Sequence, residues 1–433
     1  MARKMKDSGI EWIGEIPEGW EVSQLKYATR WKSEKGCPDA PVLSLYRDFG
    51  VVPKDSRDDN HNVTSLDTSN YKVVDIGDLV INKMKAWQGS MAVSDYRGIV
   101  SPAYHVCSIT SNKVNKRYLH HLLRNPAYLP EYARLSTGMR IGQWDLGFDD
   151  FKNIPFLIPP LDEQAKIADY LDNGCASLDA MLSKTRSSIE EYKKLKQAVI
   201  TQAVTKGVRG EREMKDSGVE WIGEIPKYWN IGKLKYYWIS VESGVSVNAA
   251  DRPIDNPAQY GVLKTSSVSK FIFNPHEHKQ VNNDEYSRVT CPVTADCIIV
   301  SRMNTPDLVG ACGYVEKTYP NLFLPDRLWQ ISFKNDVSAK FIWYYLNNKM
   351  VRSYISSLST GTSSTMQNIS QGQFGNISVC LPDSNEQKEI ADYLDAKCAE
   401  IDKLIAKKEQ LVKELEIYKK SLIYEVVTGK REV

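Results

Sequence analysis

Residues 5–27 read MKDSGIEWIGEIPEGWEVSQLKY, and residues 214–236 read MKDSGVEWIGEIPKYWNIGKLKY. They agree at 16 of 23 positions at an offset of 209, an identity that chance does not produce. Further along, residues 163–179 (EQAKIADYLDNGCASLD) match residues 386–402 (EQKEIADYLDAKCAEID) at 11 of 17 positions, now at an offset of 223. The second offset also sets Leu135–Gly138 on Leu358–Gly361 and Phe151–Ile154 on Phe374–Ile377. The chain is therefore two tandem copies of one unit, the second longer in its middle by 14 residues (223 minus 209). A repeat of this length means duplicated large units rather than a solenoid of short ones.

Each copy has two parts. The first mixes short apolar runs with turn signals. Asp78–Ile81 and Cys297–Val300 predict buried strands, and Tyr118–Leu123 with its partner Phe341–Leu346 predicts an amphipathic helix. The second part predicts a long helix. In copy two, Ile401, Leu404, Lys408, Leu411, Leu415, Tyr418 and Leu422 step alternately by three and four, a heptad seam with one lysine intruding. The aligned positions of copy one are Leu178, Met181, Thr185, Ser188, Tyr192, Leu195 and Val199. Asp162 is the expected N-cap of the first helix, and Ser384 with Gln387 the expected capping box of the second. Each helix would be roughly 65 Å long at 1.5 Å per residue, too long to hide its own apolar stripe. Pairing of the two in a pseudo-two-fold, antiparallel arrangement satisfies both stripes. The expected architecture is mixed α+β: globular domains at 1–160 and 208–383, long helices at 161–207 and 384–433, the helices forming an antiparallel coiled coil.

The 433 residues carry 56 Lys plus Arg against 54 Asp plus Glu, so any nucleic-acid-binding charge has to be local. No apolar run reaches membrane-spanning length, and no apolar segment follows the charged start, so neither a transmembrane helix nor a secretory signal is expected. The eight cysteines form no CxxC pair, which argues against zinc and fits a reducing cytoplasm. No phosphate loop, dinucleotide fingerprint or adenine-methylase signature occurs. Pro382-Asp383 with Glu386-Gln387-Lys388 has the letters of a nuclease site, but its carboxylates are too close in sequence to come from two strands. His276 and His278 have no third ligand nearby and are expected in a solvated loop. These absences describe a binding scaffold with neither metal nor cofactor of its own.

The two copies keep a framework and differ in loops. After the matched strand, copy one has Lys83, Lys85, Trp87 and Gln88, where copy two has Arg302 and Asn304. After the matched LSTG, copy one has Arg140 and Gln143, and copy two has Gln367. With Arg327, these are the residue types that read base edges and hold phosphates, and they are the candidate DNA-binding residues. Ordinary loop drift after duplication would also produce such differences.

The repeated DSG.EWIGEIP opening, the segment GDLVINKMKAWQGSMAVSDYRGIVSPAYHV (77–106), and LSTG…F.NIPFLIPPLDEQAKIADYLD with its second copy are similar to the specificity (S) subunits of type I restriction-modification systems. The resemblance covers nearly the whole chain. It implies a non-catalytic subunit with two target-recognition domains, each reading one half of a bipartite DNA site, and a helix pair that sets the spacing. It also implies docking of two methyltransferase subunits that bring S-adenosylmethionine and methylate adenine N6. Restriction subunits bringing ATP and Mg²⁺ would join them to cleave DNA. Copy two departs from the pattern by lacking AWQGS. The competing reading is a coiled-coil adaptor that bridges partners without sequence-specific DNA contact.

Overall fold

A computed structural model describes residues 3–47, 49–57, 64–65, 67–138, 144–363 and 366–433. Its packing divides the chain into two units, residues 1–186 with 409–433 and residues 187–408. Each unit holds the globular part of one copy. Each also takes a share of both long helices, the central helix Leu161–Lys206 and the C-terminal helix Ser384–Val427.

In the first unit an antiparallel sheet runs Thr29–Lys32, Tyr104–Ile109, Asp78–Asn82, Met91–Val93 in spatial order. Leu79, Val80 and Ile81 are buried on both faces, which is why this strand reads as a continuous apolar run. The helix Lys116–Leu123 covers it with Tyr118, Leu119, Leu122 and Leu123, and the Asn115 side chain caps its start. The second unit repeats the sheet with Trp238–Ser243, Leu328–Phe333, Cys297–Ser301 and Cys312–Val315, and the helix with Ala339–Leu346. It adds a five-stranded sheet built from residues 249–323. His278 lies in that sheet and is buried, not in a solvated loop: Nδ1 is 2.6 Å from the Pro275 carbonyl, and Nε2 accepts the Ile254 N–H.

The two sequence signatures of each copy meet in space. Glu21–Gln24, near the end of the opening repeat, pairs with Pro155–Ile158, just before the central helix, and Asn230–Lys233 pairs likewise with Ser378–Leu381. This pairing brings the buried Trp20 indole N–H to Glu163, 3.0 Å away, and Arg3 pairs with the same carboxylate at 2.6 Å. In the second unit Trp229 and Arg212 hold Glu386 at 3.2 and 2.6 Å. One residue further on, a wholly buried carboxamide fastens each helix to its head. Gln164 accepts the Asn115 N–H at 2.7 Å and donates to the Lys113 and Pro159 carbonyls. Gln387 does the same with the Ser338 N–H and the Asp336 and Pro382 carbonyls.

This role for Gln387 corrects the expected capping box. Asp383 accepts the Glu386 N–H at 2.9 Å, Ser384 is already helical, and Gln387 turns inward. Asp162 likewise sits inside a helix that begins at Leu161 rather than capping it.

The helical seam also differs from expectation. Leu178, Ile401 and Leu422 are buried, and Tyr192, Val199, Leu404 and Leu415 are half-buried. Met181, Leu195, Leu411 and Tyr418, however, are 52%, 48%, 42% and 49% exposed. The less exposed positions are instead Leu182 and Ile189, which are buried, and Lys196, Ile405, Val412 and Lys419, which are half-buried, one residue later in each heptad. The two registers share every second position, and apolarity alone favoured Leu411 and Tyr418 over Val412 and Lys419. Lysine stems can line an apolar stripe while the ammonium leaves it. In the first unit Lys419 reaches Asp179 at 2.6 Å and Arg186 reaches Glu416 at 2.5 Å, so the helices run in opposite directions there. In the second unit Lys196 reaches Asp402 at 2.6 Å and the Lys408 ammonium lies over the Tyr192 ring, again in opposite directions.

Replacing Gln164 by Leu would leave a buried N–H and two carbonyls without that partner. The expected loss is about 2–3 kcal/mol in the first unit's stability, read by denaturant unfolding.

Candidate nucleic-acid interface

The end of the strand Asp78–Asn82 determines where the first head's polar loop stands. The Asn82 side chain accepts the Met84 N–H, which starts a tight 3-10 turn over Lys83–Gln88. Gly89 ends it at φ +81°, a conformation that costs glycine little, and an added Cβ would lie 2.8 Å from Leu129. Ala86 is buried beneath the turn, Lys85 is exposed, and Trp87 and Gln88 are half-buried.

The second polar loop approaches the first from Asp145–Leu146, a strand paired with Ser136–Thr137. The Lys83 ammonium lies 2.8 Å from the Asp145 carboxylate, and the Trp87 and Trp144 rings are tilted together with centroids 5.1 Å apart. Arg140 and Gln143 fall outside the described residues.

Below this junction His105, on the central sheet, holds the Leu146 carbonyl through Nε2 at 3.1 Å. Burial among Trp31 and Phe148 lowers the His105 pKa, partly offset by that hydrogen bond and with Lys72 adding to the fall. Lys72 is buried too, donating to the Pro102 and Tyr104 carbonyls beside the Trp31 face. Its pKa is lowered by burial and by the nearby Lys83 and Lys35 charges.

In the second head the same two loops are joined by backbone. Met303–Asn304 pairs with Met366–Asn368, placing Asn304 opposite Gln367. The Arg302 guanidinium donates to the Asp326 carbonyl at 2.8 Å, and its own N–H is bonded to the carbonyl of Arg327, whose side chain is exposed. Both ends of the Asn304 amide are engaged locally, by Ser301 and by the Thr305 N–H.

The fold thus gathers Lys83, Lys85, Trp87 and Gln88 on one turn, and Arg302, Asn304, Arg327 and Gln367 around one small sheet. Trp144, Asp145 and His105 were not among the expected site residues. The aromatic–acid pair directly after Gln143 was the available signal for the first two, whereas His105 is recognisable only once strands pair. Among the described residues, no cluster of His, Cys, Asp or Glu could hold a metal ion, and no helix is long and apolar enough to cross a membrane.

A family profile described as the type I restriction modification DNA specificity domain matches residues 17–191 and 259–414. The type I restriction enzyme MjaVIII specificity subunit of Methanocaldococcus jannaschii is 28% identical, over 96% of this chain and 94% of that protein. A solved chain from a study of complex assembly and conformational transition in a type I R-M system superposes with a TM-score of 0.71 at 14% identity, covering 96% of this chain and 99% of that one. The HsdS subunit of Thermoanaerobacter tengcongensis superposes with a TM-score of 0.54 at 15% identity, covering 96% and 98%.

Because burial lowers the His105 pKa below that of an unfolded imidazole, about 6.5, folding stability falls as pH drops through that value. Thermal melting between pH 7.5 and 5 should show this slope, and His105→Gln should reduce it by up to one proton.

Proposed function

The chain belongs to the type I restriction modification DNA specificity family, and from that membership we propose how its parts share the work. It is the non-catalytic specificity subunit of a type I restriction-modification system, with two target-recognition domains. In our reading the recognition domains are residues 1–160 and 208–383, and each reads one half of a bipartite DNA site. The observation that supports this is one sheet framework used twice, carrying chemically different loops at the same two places.

The spacers are residues 161–207 and 384–433. We take their helices to form one antiparallel coiled coil that fixes the distance between half-sites. A helix of 46 residues is about 69 Å long, roughly two turns of DNA at about 34 Å each. The candidate base and phosphate contacts are Lys85, Trp87, Gln88, Arg140 and Gln143 in the first domain, with Lys83 beside them, and Arg302, Asn304, Arg327 and Gln367 in the second. Two methyltransferase subunits dock on the shared framework, and restriction subunits join that complex. S-adenosylmethionine, ATP and Mg²⁺ belong to those partners, and the assembly works in the cytoplasm.

Co-expression with the methyltransferase partner in a methylation-free host, followed by single-molecule mapping of N6-methyladenine, tests this. The expected result is a split motif with a fixed gap, methylated once on each strand, and exchanging residues 1–160 should change one half only. A continuous motif, or no methylation with an active methyltransferase, would favour the adaptor reading instead.

A further inference from the structure

We propose that Asp145 is a positioning residue that sets the two loops of the first head into a single reading surface, and that Lys83 serves this tie rather than a base. The inference rests on the DNA-reading function proposed above and adds which residues make its first half-site specific.

The two loops meet at paired anchors. On one side Lys83 and Trp87 occupy the first and fifth positions of the turn that follows the central strand. On the other, Trp144 and Asp145 are neighbours at the return of the second loop. The ammonium of Lys83 meets the carboxylate of Asp145 at 2.8 Å, and the two indoles meet at 5.1 Å. An ionic and an aromatic contact therefore fix the same two segments. Beneath them the second loop is already held by the pairing of Thr137 with Asp145 and by His105 on the Leu146 carbonyl. With the Trp87–Trp144 contact, the Lys83–Asp145 pair ties the turn to the strand on which the second loop returns.

The second head meets the same need by other means. There Met303–Asn304 and Met366–Asn368 join the corresponding loops by a backbone ladder. Two unlike solutions at equivalent positions of one framework indicate that the joining itself is required.

A lysine committed to a carboxylate has to give up that partner before it reaches a guanine edge, so Lys83 is poorly placed as a reader. The pair is also partly exposed, with side chains 32% and 45% accessible, and pairs this exposed add little to overall stability. Its loss therefore disturbs recognition without unfolding the head.

The test is the methylation map of the co-expressed complex carrying Asp145→Asn, Lys83→Met, or the charge swap Lys83→Asp with Asp145→Lys. Asp145→Asn is expected to cut discrimination in the first half-site about tenfold at more than one base position, leaving the second half-site and the melting temperature unchanged. The charge swap should restore most of that discrimination. An unchanged motif in Asp145→Asn overturns the proposal. So does a Lys83→Met map that relaxes one base position alone with no rescue by the swap, because Lys83 then reads that base. If Asp145→Asn lowers the melting temperature, the swap decides: recovery of fold without recovery of the motif overturns the positioning role. A wild-type complex that yields no split motif would instead refute the underlying DNA-reading function.

Discussion

The joint between each head and its long helix rests on one buried carboxamide. Gln164 and Gln387 each satisfy a backbone N–H and two carbonyls inside a region closed to water. A side chain that both donates and accepts is needed there, and glutamine supplies both without charge. With the adjacent glutamate held by a tryptophan and an arginine, this fixes where each helix leaves its head. Asp172 and Asp395 then fasten the next turns to the head helices. Arg117 and His121 bind the first, and Lys340 and Tyr344 the second. The Asp172 carboxyl is held down to about 2, chiefly by the His121 hydrogen bond, against the opposing effect of burial and with help from Arg117. The same positions thus carry the same function with different chemistry in the two copies.

Much of this could be read directly in the residues. The repeat identities define the duplication, and Leu79–Ile81 with Cys297–Val300 announce the central strands because strands buried on both faces need continuous apolar runs. The helix register could not be read so directly. Leu411 and Tyr418 look better suited to a seam than Val412 and Lys419, and only the ion pairs across the helices explain why lysines lie there. The capping box failed for a related reason: the spacing of Ser384 and Gln387 fits a local motif, whereas Gln387 is claimed by a contact 49 residues away in sequence.

The reading loops were legible as to location but not as to arrangement. Residue type placed Lys83, Trp87, Arg302 and Asn304 beside matched strands. It did not show that Lys83 would be engaged by Asp145, or that Asn304 would spend both ends of its amide on the Ser301 hydroxyl and the Thr305 N–H. Side-chain chemistry names what a group is able to bind, and the neighbours decide what it is free to bind.

The division of the chain into units has a consequence for synthesis. Residues 187–408 are continuous in sequence, so that unit has all its parts once they have left the ribosome. The other unit is assembled from both ends of the chain. Leu422, Val426 and Val427 are buried in its core, and the Tyr118 hydroxyl reaches the Val427 carbonyl. The half that is made first therefore completes its core last, and its apolar docking surface stays uncovered until residues 409–433 follow the other unit.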